Sequence, residues 1–262
     1  MAEQGNIKLK RWMQALGLVY VLMCLPAAGT SDRLDESGSD IMAAESSAET
    51  ESAETGSADD AAGEKDDGLS ANKSNVAPVV ALTFDDGPSA QYTPVLLDGL
   101  KERGVHATFF LIGQNIEKDG NEALVKRMWE EGHLIGNHTY HHVNLSSLNL
   151  EAAHRELTMT DEIIQDITGE DTILVRPPFG AFPDSMEQEM SKLYVKWTVD
   201  PLDWTINDTD EIVRRVVTDV EENDIILLHD CYESSVEAAL QIVDILTEEG
   251  YEFVTADRLL IE

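Results

Sequence analysis

Cysteine is almost absent from this chain of 262 residues: there are two, Cys24 inside an N-terminal apolar stretch and Cys231 near the far end. If the leading segment is removed only Cys231 is left, so no internal disulfide can form. That separates the chain from small secreted domains that depend on such staples. Basic residues are scarce too. Lys and Arg total 18 against 51 Asp and Glu, a formal net charge of −33, which excludes nucleic acid and anionic lipid as electrostatic partners. Surface acidity on this scale keeps a protein soluble and tolerates cationic material.

Large apolar side chains are also in short supply between 30 and 77, where Ser, Ala, Gly, Glu and Asp dominate. Nothing there offsets the entropy of ordering the chain, so residues 30–77 read as a disordered acidic linker, either a spacer or a solubilising tail. Ahead of it, Lys8, Lys10 and Arg11 precede an apolar run over 12–28, broken by Gln14, Gly17 and Pro26 and followed by Gly29. Residues 1–29 therefore read as a signal peptide cleaved near Gly29 or as a retained membrane anchor. This leaves 78–262 as a folded domain, long enough to bury a full core. The expected location is outside the cytoplasm, secreted or tethered at a bacterial cell envelope, with a monomer as the working state.

In the folded part, short apolar runs alternate with amphipathic stretches. Strands are expected at 78–84, 106–112, 133–137, 172–175, 195–199, 224–228 and 252–255, and helices at 94–103, 122–131, 150–167, 183–193, 208–220 and 235–249. Seven repeats of strand then helix imply a parallel sheet with right-handed crossovers. Most of the strands are continuous Val, Ile, Leu and Phe runs, so both faces should be buried, as in a barrel or a doubly wound sheet. The unusual polar residues fall just past the strand ends, and in a parallel barrel those ends share the rim where active sites are built.

Two of these clusters already point to chemistry. Asp85 and Asp86 end the first apolar run, and His138 and His142 lie four residues apart, on one side of a turn if that turn is helical. Two imidazoles and one carboxylate make a three-ligand site with an open position for water. Alone, each cluster has an ordinary explanation: Asp-Asp-Gly-Pro ends many strands, Arg-Pro-Pro-Phe-Gly makes a rigid turn, and Asp-Trp packs in cores.

Taken in order, however, Thr83-Phe84-Asp85-Asp86-Gly87-Pro88, His138-Thr139-Tyr140-His141-His142, Arg176-Pro177-Pro178-Phe179-Gly180, Asp200-Pro201-Leu202-Asp203-Trp204 and Leu227-Leu228-His229 resemble the five motifs of polysaccharide deacetylases with a NodB homology domain, carbohydrate esterase family 4. The resemblance runs from about 79 to 260. It implies an α/β fold, a distorted parallel (β/α) barrel with about seven βα units. It also implies Asp86, His138 and His142 as ligands of one divalent metal, zinc from the ligand type, with cobalt, nickel and iron also compatible. By resemblance Asp85 is the general base that takes a proton from the attacking water, Arg176 pairs with that base, and the backbone N–H of Phe179 donates to the oxyanion. His229 is the general acid, oriented by Asp203. Trp204 and Leu227 resemble the walls around the acetyl methyl group, and Asp200 is a supporting residue.

The implied activity is metal-dependent removal of N-acetyl groups from N-acetylglucosamine residues of an envelope polysaccharide, with peptidoglycan first and chitin oligosaccharide or acetylxylan as alternatives. A non-catalytic glycan-binding domain is the reading from another class, and it predicts a missing catalytic residue, whereas all are present. His106 and His133 read as structural, His154 lies in an exposed-looking helix, and Tyr140 and Tyr232 read as packing or groove residues.

Overall fold

Val79–Gly87 forms β1, the strand at the centre of the sheet. The computed structural model describes residues 77–182 and 192–260. The segment expected at 1–29, all but the last residue of the linker expected at 30–77, and 183–191 of the helix expected at 183–193 lie outside the described residues. β1 pairs with β2 (Thr108–Leu111), β6 (Ile225–His229) and β7 (Glu252–Val254), and beyond β2 follow β3 (Leu134–Asn137), β4 (Leu174–Val175) and β5 (Leu193–Tyr194). Every pairing is parallel, so each connection has to cross over. The described crossovers are filled by α1 (Thr93–Arg103), α2 (Gly113–Ile116), α3 (Asn121–Glu130), α4 (Leu150–Thr168), α5 (Thr209–Asp219) and α6 (Glu233–Glu248), with a short α7 (Asp257–Leu260) after β7.

Local chemistry sets the helix ends. Pro94 occupies the first turn of α1, where a missing N–H costs nothing, and Gly104 closes that helix at φ 65°. Asn149 caps α4 by accepting from Ala152 N at 2.8 Å. Alternate strand residues then divide two cores. Leu82, Phe84, Ile226 and Leu228 pack with helical Leu96 and Leu100, whereas Ala81, Phe110, Leu174, Val195 and Ile225 pack together on the other face. Each buried Leu, Ile, Val or Phe among these contributes about 1.5–3 kcal/mol before the entropy of ordering it is subtracted.

The two ends of the sheet meet over a single parallel bridge, Val199 to Ile226, with Thr198 N bonded to Ile225 O and Leu227 N to Val199 O. The sheet is therefore curled into the expected distorted barrel, narrowly closed on this side. Here the strand expected at 195–199 departs from the structure: regular pairing occupies Leu193–Tyr194 instead. Arg176 supplies the reason. Its Nε donates to Val195 O (3.3 Å) and its Nη2 to Lys196 O (3.2 Å), so a guanidinium takes carbonyls that a neighbouring strand would otherwise receive. Among the described residues, no helix is long and apolar enough to cross a membrane.

Candidate metal and catalytic site

Consecutive residues of a strand point to opposite faces, so Asp85 and Asp86 can share a site only if the strand breaks its rhythm. It does so at Asp86. Asp85 faces Phe110 on β2, yet Gly87 faces Leu111, leaving Asp86 as an extra residue at φ 70°. Such a bulge re-aims a side chain. Asp85 turns to Arg176, whose Nη1 donates to Asp85 Oδ1 (2.8 Å) and to Thr83 Oγ1 (2.7 Å). Arg176 is fully buried, with its guanidinium 4.1 Å from the centre of the Phe110 ring. Burial pulls its pKa below the ordinary arginine range, and the charge of Asp85 opposes that fall.

Asp86 turns instead to the histidines. Its Oδ1 lies 3.1 Å from His142 Nε2 and 3.4 Å from His138 Nε2. One candidate ligand atom from each of these three residues lies within 4.8 Å of the others. His138 Nδ1 is 2.6 Å from the carbonyl of Arg176, so an Nδ1–H donated there leaves the Nε2 lone pair facing Asp86. Burial resists charge on Asp86, but the two imidazoles outweigh it and hold the carboxyl well below the usual range. For His138, burial is outweighed by Asp85 and Asp86, which raise its pKa. Asp86 Oδ1 is nonetheless buried without a hydrogen-bond partner. An orphaned carboxylate oxygen between two imidazole nitrogens is the donor set a divalent cation would satisfy.

The segment carrying these histidines corrects the expectation of a helical turn. Thr139 and His142 both have left-handed backbones, at φ 66° and 54°. Asn137 Oδ1 accepts from Thr139 N (2.7 Å), while the Asn137 amide nitrogen reaches Leu157 O and Asp161 Oδ1 on α4. His141 pairs with Glu156 through both its ring and its backbone N–H, away from the triad. Tyr140 bonds Glu117 through its hydroxyl.

Strand pairing places Asp85 directly across from His229. His229 Nδ1 is 2.8 Å from Asp203 Oδ1, and His229 N donates to Asp203 Oδ2 at 2.8 Å. With Nδ1 committed, Nε2 faces the triad, 4.0 Å from Asp86 Oδ2. Burial disfavours the imidazolium, but Asp203, backed by Asp86 and Asp85, lifts the His229 pKa to about 10.

Leu227 lies two residues earlier on the same strand face, 4% exposed. Trp204 is 44% exposed, next to buried Asp203, and Phe179 is 43% exposed with its ring 5.0 Å from that of His142. Asp200 Oδ1 accepts from Leu202 N (2.9 Å), bracing the left-handed turn at Leu202 that precedes Asp203. The eleven residues given roles in the sequence analysis lie on the rim motifs or the strands beneath them. His133 is structural, its Nδ1 accepting from Ala107 N at 3.1 Å.

Two further groups carried no role in the sequence reading. Asp230 is fully buried, accepts from the Thr93 hydroxyl, and packs so close to Gly87 that a Cβ there would meet its Oδ1 at 2.5 Å. Burial pushes its pKa up to about 7. Asn115 donates from Nδ2 to Asp86 O at 2.8 Å. The Asp after His229 was a visible signal, whereas an Asn in a four-residue helix was not.

The family model described as polysaccharide deacetylase matches residues 72–197. The peptidoglycan-N-acetylmuramic acid deacetylase PdaC of Bacillus subtilis is 40% identical over 181 residues, 69% of this chain but 38% of that protein. This chain therefore spans well under half the length of that relative. A peptidoglycan-N-acetylglucosamine deacetylase of Bacillus cereus is 36% identical over 194 residues, covering 71% of this chain and 90% of the relative. The solved structure of PdaC superposes with a TM-score of 0.68 at 38% identity, over 70% of this chain and 90% of that one.

Proposed function

The chain belongs to the polysaccharide deacetylase family, and from that premise we propose that it is a metal-dependent deacetylase of peptidoglycan, removing the N-acetyl group from N-acetylglucosamine residues. One observation carries the reading. Asp85 and His229 stand opposite each other in register on adjacent strands, Asp85 held by Arg176, His229 held by Asp203, and both facing the Asp86, His138 and His142 cluster.

A divalent cation held by Asp86, His138 and His142 would supply Lewis acidity for the amide carbonyl and for water. Zinc is the ion that this donor set suggests, with cobalt, nickel and iron as substitutes. Asp85 then accepts the proton of the attacking water, with Arg176 holding the carboxylate in place. The Phe179 N–H donates to the oxygen that gains charge as the amide carbonyl becomes tetrahedral. His229 delivers a proton from Nε2 to the departing amine, because Asp203 keeps it charged through neutral pH. Trp204 and Leu227 enclose the acetyl methyl, and the exposed aromatic faces of Phe179 and Trp204 suit a sugar ring.

The names of the relatives divide between N-acetylmuramic acid and N-acetylglucosamine. A wall substrate places the enzyme outside the cytoplasm, consistent with the leader-like segment at 1–29 and the acidic stretch at 30–77. Acetate release by the full chain with zinc or cobalt, on peptidoglycan, chitin oligomers and acetylxylan in parallel, tests this. Release from peptidoglycan is expected, with the free amine located on glucosamine by tandem mass spectrometry of enzymatically released muropeptides. Muramic acid alone would reassign the sugar, xylan alone would make it an esterase, and glycan binding without acetate release would leave only a binding domain.

A further inference from the structure

The bulge that brings Asp86 to the histidines creates a problem that the rest of β1 does not have. A non-glycine residue at φ 70° sits in a sparsely populated conformation that persists only where its surroundings over-determine it. A bulge also leaves a residue out of the ladder, so its carbonyl needs another partner. That partner is Asn115. Its Nδ2 donates to Asp86 O at 2.8 Å, while its Oδ1 accepts from Lys118 Nζ at 2.7 Å, which fixes the direction of the amide. Behind it stands Asn121, 1% exposed, whose Nδ2 donates to Asn115 O (2.7 Å) and to Pro88 O (3.1 Å). The same short helix is tied to the histidine segment, because Gly113 N donates to Thr139 O and Gln114 N to Tyr140 O. Asp230, held by Thr93, fills the space where a Gly87 side chain would stand.

We propose that Asn115 is a positioning residue for the metal site: by binding the carbonyl freed by the bulge, it locks Asp86 in the left-handed conformation that aims its carboxylate at His138 and His142. Asn121 secures Asn115 from behind. The inference rests on the cation-binding reading given above and adds to it the residue that shapes the site.

The test uses the full chain and measures the Co²⁺ dissociation constant by competition with a chromogenic chelator, alongside the melting temperature of the metal-free protein. Asn115→Leu keeps the size and loses the N–H. Asn115→Asp keeps the shape and loses the N–H, which guards against misfolding of the first variant. Both should bind Co²⁺ roughly 10–100-fold more weakly, the usual loss when a group supporting a metal ligand is removed. The metal-free melting temperature should barely move. Gln114→Ala, an exposed change in the same helix, should leave affinity unchanged. Affinity within twofold of the parent in both Asn115 variants would overturn the proposal, as would an equal loss in Gln114→Ala. A parent protein that binds no Co²⁺ would bring down the metal reading itself, and this inference with it.

Discussion

Asp85 and Asp86 differ in environment far more than in identity: one is buried against a guanidinium, while the other sets an oxygen without a hydrogen-bond partner between two imidazoles. Their substitutions should therefore separate. Asp85→Asn should retain the cation and lower kcat by roughly 10²–10⁴-fold, as removal of a general base does, whereas Asp86→Asn should lose the cation. Metal content and turnover measured on both variants decide it, and the opposite pattern would reverse the two roles. His229 gives a second prediction of this kind. As the proposed general acid it would work protonated, so activity should fall on the alkaline side as pH passes through its pKa, which burial lowers but Asp203 lifts to about 10. A cation on Asp86 cancels part of that lift, so the limb belongs below that value. Replacing Asp203 with Asn removes the charge that favours the imidazolium, so the alkaline limb of kcat/KM should shift to lower pH while the acidic limb stays. An unmoved alkaline limb would take the acid role away from His229.

Five of the six described non-glycine residues with positive φ, Asp86, Thr139, His142, Phe179 and Leu202, lie in the motifs of the rim. The elements are regular where they only have to pack and distorted where they carry the site. The same contrast decides what the sequence disclosed. Helices such as Leu150–Thr168 follow apolar periodicity and end on capping residues, while strands such as Ile225–His229 are continuous apolar runs, and sequence shows both. The residues of the triad were legible because their chemistry is rare. The bulge at Asp86, the non-helical path from His138 to His142 and the displaced β5 were not, because each depends on groups remote in sequence: Asn115, the Leu157 and Asp161 oxygens that hold Asn137, or Arg176. Gly87 shows how tight this fit is. A methyl group there would meet the buried Asp230 carboxylate at 2.5 Å, with Thr93 restraining it, so Gly87→Ala should cost about 1–3 kcal/mol, as overpacking does. Denaturant titration reads this directly, and an unchanged midpoint would show that Asp230 gives way freely.

For the whole molecule the question is how a chain with 51 acidic residues and a net charge of −33 distinguishes one cation site from general attraction of cations. Coulomb attraction to a diffuse acidic surface is weak and screened by salt, with a Debye length of about 8 Å at physiological ionic strength. A three-ligand site with two imidazoles is neither diffuse nor purely electrostatic, and any ion that binds only the folded state stabilises it by mass action. At a free concentration 100 times the dissociation constant this amounts to about 2.7 kcal/mol. For a folded unit of this size that corresponds to a rise in melting temperature of roughly 5–10 °C. The rise should persist in 0.5 M NaCl, depend on the logarithm of zinc concentration, and disappear in His142→Ala, whose partly exposed side chain can be removed without emptying the core. Magnesium, which prefers oxygen ligands and keeps its waters, should produce little of it. If His142→Ala kept the full increase, or salt abolished it in the parent, then the stabilising ions would be spread over the acidic surface and the triad would not be a metal centre.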